Sequence, residues 1–115
     1  MARTAIPVQT MPKHGGGIDD ITFTAADATN DHEFANNGHM LLLMQNTSGG
    51  PLTADIIATD DIYGRAVDET ITCGNGETCI YGPFIPGNWN QAGGLVNLDL
   101  TTDTNVSFAV VEFRL

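Results

Sequence analysis

The chain is poor in positive charge: 115 residues hold four Lys and Arg together, against 14 Asp and Glu. The four are unevenly placed. Arg3 and Lys13 fall in the first 18 residues, which contain no acid, and all 14 acids share the remainder with Arg65 and Arg114. The leading segment is therefore +2 and the body −12. A body that acidic repels phosphate backbones, which disfavours nucleic acid as a partner. The acidity reads either as plain solubility or as a body that meets partners through its weakly basic leading segment.

Long apolar runs are also missing. The longest, Met40-Leu41-Leu42-Leu43-Met44, falls far short of the roughly 20 residues a membrane helix needs, so no membrane partner is expected. The opening Met-Ala-Arg-Thr-Ala-Ile-Pro carries no apolar core of a secretory signal, which reads as synthesis and assembly in a cytoplasm. Cysteine is scarce. Cys73 and Cys79, the only two, bracket Gly74-Asn75-Gly76-Glu77-Thr78. Two cysteines alone do not complete a structural zinc site, which wants four ligands. A Cys73–Cys79 disulfide would close a very short loop, and cytoplasmic synthesis favours reduced thiols. Two small, partly buried side chains is the preferred reading, with the disulfide kept as a candidate.

Catalytic motifs are absent as well: there is no GxSxG, P-loop, HExxH or CxxC. His14, His32 and His39 fall in arm or loop, and only a spatial meeting of His39 with Cys73 or Cys79 would give a nucleophilic pair. The acid loop Asp27-Ala28-Thr29-Asn30-Asp31-His32-Glu33 has oxygen donors without the spacing of a calcium-binding EF-hand loop. Asp19-Asp20 and Asp60-Asp61 are no more specific, and all read as solvated loop charge. No catalytic residue, metal ligand or cofactor is assigned, and the chain is not read as an enzyme.

What is present is strand pattern. Residues 1–17 hold Pro7, Pro12 and Gly15-Gly16-Gly17, the chemistry of an extended arm. Ile6 and Val8 retain the option of a short edge strand. Extended, that arm reaches about 55 Å, long enough to touch a neighbouring subunit. From residue 18 onward period-2 alternation dominates. Ile21 and Phe23 mark one strand, and residues 25–37 read as a polar loop with one helical turn at most. Residues 40–45 read as a central strand covered on both faces. Ala54, Ile56 and Ala58 share a face; Thr70-Ile71-Thr72-Cys73 enters a hairpin at Gly74-Asn75-Gly76. Val96, Leu98 and Leu100 form the cleanest inward row. In the last strand Val106, Phe108 and Val110 share one parity while Val111, Phe113 and Leu115 take the other, which a bulge near Val110-Val111 or burial on both faces would explain. The expectation is an all-β domain over residues 18–115: a single β-sandwich or jelly-roll-like barrel of about seven to eight short antiparallel strands. One chain of this size makes one domain.

Trp89, the single Trp, sits between Asn88 and Asn90 in a glycine-rich stretch. It suits either a recognition anchor or a lid folded over the core.

The ordered elements resemble a known family. Phe34, Asn36, Gly38, Leu42 and Asn46 stand in the pattern F-x-N-x-G-x-x-x-L-x-x-x-N, followed by Ser48-Gly49-Gly50. A hairpin, Gly82-Pro83-Phe84, a turn over residues 90–94 and two closing strands come next. This order, over residues 18–115, is similar to the small proteins encoded beside the major capsid genes of tailed bacteriophages. The resemblance implies a capsid decoration, or cement, protein: a β-sandwich on the outside of the virion shell that bridges capsomers. Its implied partners are the phage major capsid protein and further copies of itself, with a trimer as one arrangement. The two cysteines depart from the family pattern. On this reading Arg3, Ile6, Val8 and Lys13 of the arm, with Trp89, are the candidate shell contacts. The alternative is a carbohydrate-binding module using Trp89, Tyr63 and nearby acids.

Overall fold

A computed structural model describes residues 3–12, 17–59 and 67–113. Lys13, His14, Tyr63 and Asp60-Asp61 lie outside the described residues. The strands are β1 (Thr4–Ala5), β2 (Val8–Thr10), β3 (Thr24–Ala25), β4 (His32–Ala35), β5 (Met40–Asn46), β6 (Leu52–Ile56), β7 (Glu69–Cys73) and β8 (Thr78–Tyr81). A single helical turn, α1 (Pro86–Trp89), precedes β9 (Leu95–Leu100) and β10 (Val106–Glu112). No described helix is long and apolar enough to cross a membrane.

The chain is all-β, built as two mixed sheets. The first runs β1-β4-β9-β6-β7, and the second β2-β10-β5-β8 with β3 also paired to β10. They share one core. Phe34, Ile56, Val96 and Leu98 come from the first sheet; Leu42, Met44, Phe108 and Val110 come from the second. Each such side chain taken out of water is worth about 1.5–3 kcal/mol. The alternation in β5 and β9 sets this arrangement directly, since every second residue turns inward.

Four expectations need correction. The strands are not all antiparallel: β1 runs parallel to β4, and β2 parallel to β10. Ten strands are present among the described residues, not seven or eight. The extra ones are two to four residues long, too short to show a clear period. The sheets do not close into a barrel, because β7 and β8 end them as separate edges. Finally, within the leading segment residues 4–5 and 8–10 are ladder strands in different sheets, so the edge-strand option holds at Val8 and the described part is not a free arm.

Within the expected loop at 25–37 the structure places β4, with His32 and Phe34 buried and Glu33 half-buried. The charges at 31 and 33 mask an ordinary alternation. The parity change in the last strand has its explanation in burial. The ladder from Val106↔Asn46 to Glu112↔Met40 is unbroken, so no bulge intervenes. Ala109 (0% exposed) and Val111 (6%) are simply buried on the opposite face from Phe108 and Val110. Leu41 and Leu43 share that outer face and stay half-buried, so β5 is covered fully on one face only.

Candidate functional site

The two sheets have two flanks, and the chain crosses between sheets at both. At the first, β1 passes to β2 through Ile6 and Pro7. Three of the candidate contact residues lie here, and the fold consumes them. Ile6 is 3% exposed and belongs to the core; Val8 packs half-buried against it. The Arg3 guanidinium donates to Asp99 at 2.6 Å and to the carbonyls of His32 and Leu98. Backbone bonds from Thr4 to Asp31, Ile6 to Glu33 and Met11 to Glu112 complete the seam. The outer edge of β2 is covered too, since the Gln9 amide exchanges hydrogen bonds with the backbone N–H and carbonyl of Thr22.

The acid loop serves this seam. One Asp27 carboxylate oxygen accepts from the Thr4 hydroxyl at 2.6 Å and from the Asn30 amide; the other accepts the backbone N–H groups of Thr29 and Asn30. The Thr4 hydroxyl foremost, with the Asn30 and Thr29 bonds, holds the Asp27 carboxyl down at about 2. Asp31 accepts from the N–H of Leu100, and Asp103 from that of Ala28. His32, fully buried, bonds the Thr4 carbonyl through Nδ1, accepts the Asp27 N–H at Nε2, and stacks on Phe108. These are structural duties.

At the second flank, β7 of one sheet passes to β8 of the other through residues 74–77. Here a cleft of about 370 Å³ opens, lined by Ile56, Glu69, Ile71, Ile80, Tyr81 and Trp89 with the 82–84 segment. Its lining is mixed: Ile80, 60% exposed, shares it with the exposed Glu69, and Ile85, 63% exposed, follows the 82–84 segment in the chain. The Tyr81 hydroxyl donates to the Thr72 carbonyl at 3.0 Å, bridging the two edge strands. Burial, with Cys79 next to it, raises that hydroxyl well above its usual range, so it stays a donor.

The floor of the cleft is rigid. Trp89 is half-buried and sets its ring edge-on to Phe84, which stacks in turn on Phe34. It thus covers the core and lines the cleft at once. The buried Asn36 amide donates to the Phe84 carbonyl at 3.0 Å and to the Asn90 side chain at 2.6 Å, and Asn90 donates back to the Asn36 carbonyl. Gly82 is needed where it stands: its φ is +116°, and a Cβ would lie 2.8 Å from the Met40 carbonyl.

Cys73 and Cys79 are both free thiols. Cys73 is fully buried, with its sulfur 3.4 Å from the Glu77 carbonyl and 3.6 Å from that of Met44. Burial, then the Cys79 thiol beside it, pushes it up to about 12, so it is no nucleophile. The Cys–His pairing does not form. His39 sets its ring edge-on to Phe113, five residues back along the chain from Met44, the register partner of Cys79, which is roughly 16 Å of strand. Sequence reasoning passed over Glu77, which joins the two thiols, and Asn36, which joins three separate motifs. The first was legible only as a turn residue; the second had a signal, an Asn in the F-x-N-x-G pattern.

No protein-family model, curated protein or solved structure matches this chain.

Proposed function

We propose that this protein is a structural component of a tailed-phage virion, a β-sandwich that binds the outer surface of the capsid shell and stabilises it by bridging capsomers. The observation that carries this reading is the convergence of the residues that carry the resemblance. Phe34 and Asn36, the Gly82-Pro83-Phe84 element and Asn90 are far apart in sequence, yet they interlock through one pair of tilted rings in contact and three hydrogen bonds. An ordered set of motifs that builds one unit supports common design over chance.

The contact surface is then the second flank, with Trp89, in preference to Arg3, Ile6 and Val8; Lys13 lies outside the described residues. Arg3, Ile6 and Val8 are spent on the fold, whereas Ile80, Tyr81 and Trp89 line an open cleft. A net charge of −10 suits the outside of a shell better than its DNA-facing side. Many copies on one lattice need only modest affinity each.

The test is direct. Purified protein is mixed with empty shells of the major capsid protein encoded alongside it, and occupancy is measured by co-sedimentation. Saturable binding at lattice stoichiometry is expected, with occupancy falling for Ile80→Ser. Absence of binding to mature shells sinks the reading. The aromatic lining of the cleft favours a second reading, a carbohydrate-binding module. Since Trp89 is the sole Trp, quenching of its fluorescence by sugars would support that module, and the shell-binding reading needs none.

A further inference from the structure

The turn between β7 and β8 assembles more than a connection. Cys73 Sγ, Cys79 Sγ and a Glu77 carboxylate oxygen lie within 4.8 Å of one another. The three are held there by the fold. Gly76 N–H donates to the Asn46 carbonyl at 2.7 Å, and Asn46 N–H to the Glu77 carbonyl at 3.0 Å. The fully buried Asn46 amide also donates to the Cys73 carbonyl at 2.8 Å. Glu77 is folded back over the turn by the Gly74 N–H, which its Oε1 accepts at 2.9 Å. A Cβ at 74 would lie 2.6 Å from that oxygen, so a larger residue there would push the Glu77 carboxylate aside.

We propose that Cys73, Cys79 and Glu77 form a binding site for a thiophilic divalent cation of the zinc type. Two sulfurs and one carboxylate match the mixed donor preference of zinc and cadmium, whereas calcium and magnesium want oxygen alone. Binding replaces both thiol protons, which leave to solvent, so a dication joins two thiolates and a carboxylate with no change of oxidation state. A water takes the fourth tetrahedral position. At a metal–sulfur length of about 2.3 Å two tetrahedral thiolates sit about 3.8 Å apart, so the cluster contracts by about 1 Å at most. A bound dication supplies the positive charge that two thiolates and a carboxylate require.

The consequence is mechanical. β7 ends one sheet and β8 ends the other, and no ladder joins them. A cation here ties the two sheets together at the flank that carries the cleft.

The experiment uses the full chain in a chelator-free, phosphine-reduced buffer titrated with cadmium. Sulfur-to-metal charge-transfer absorption saturating at one equivalent is expected, displaced by zinc, with a thermal midpoint that rises on zinc addition. Cys79→Ser, at the half-buried position, should weaken binding by at least about 100-fold, and Glu77→Gln by about tenfold. Cys73→Ser is not relied on, since that side chain is core. Three results overturn the proposal: no saturable absorption, equal binding in Cys79→Ser, or thiols already joined as a disulfide in reducing buffer.

Discussion

The two flanks of this molecule solve the same problem in opposite ways. Each must carry the chain from one sheet to the other, and each leaves two sheet edges to manage. The first uses main-chain pairing, a buried Ile6, the Arg3–Asp99 ion pair and a hydrogen-bonded acid loop. The second uses a short turn, one hydroxyl bridge from Tyr81 to Thr72, and a pair of free thiols. It leaves apolar side chains in water around a cleft. The difference teaches where stability and recognition reside. A flank whose polar groups are all spent on itself has nothing to offer a partner; a mixed rim with exposed apolar side chains over a fixed floor does.

The largest expected effect breaks the sealed flank. Ile6→Ala should cost about 2–5 kcal/mol, the usual range for emptying a core position. Urea unfolding measures it, and a loss near zero would mean that residues 4–10 are not part of the cooperative fold. Next comes the floor of the open flank. Asn36→Ala strands the Phe84 carbonyl, the Asn90 side-chain oxygen and the Gly38 N–H, for about 1–3 kcal/mol. Gly82→Ala, strained at positive φ and crowded by Met40, should cost a similar amount. If either variant is as stable as the parent, the floor is not rigid in the sense argued above.

The acid response sharpens the contrast between flanks. Asp27 sits at about 2 in the fold, against an ordinary 3.8. The unfolded chain therefore takes up its proton first. The stability Asp27 contributes is present above about pH 4 and is lost as pH falls toward about 2. Hydrogen exchange across that window should show β1 opening, with Asp27→Asn opening it already at neutral pH; an unchanged β1 in both sinks the argument. Smallest of all should be the rim. Ile80→Ser and Ile85→Ser should shift stability by no more than about 0.5 kcal/mol while lowering shell occupancy, a separation the sealed flank cannot show.

Much of the fold was legible in the residues. Val96 and Leu98 turn inward as their spacing predicts, whereas Met40, Leu42 and Met44 do so from a run that shows no alternation. The turn after Cys73 lies where the Gly-Asn-Gly signal puts it, but it joins strands of different sheets and makes no hairpin. The turn-rich stretch around Trp89 hid only one helical turn. Less of the candidate site was legible. Pro7 and the glycines beyond it suggested a linker, and nothing local reveals that Thr4 pairs with His32 or that Val8 pairs with Val110. His32 looked like loop polarity because a buried ring needs partners distant in the chain, here the Thr4 carbonyl and the Phe108 ring.

The division between sequence and tertiary structure follows from range. An alternation of five or more residues states by itself which face is buried, because a strand turns a side chain over at every step. The sequence alone thus determined an acidic, all-β chain and most of its inward rows. Strands of two or three residues have no period to read, and only the packed sheets decided that residues 3–12 seal one flank. The meeting of Cys73, Glu77 and Cys79, and the cleft beside them, likewise exist only because β7 and β8 leave the turn for different sheets.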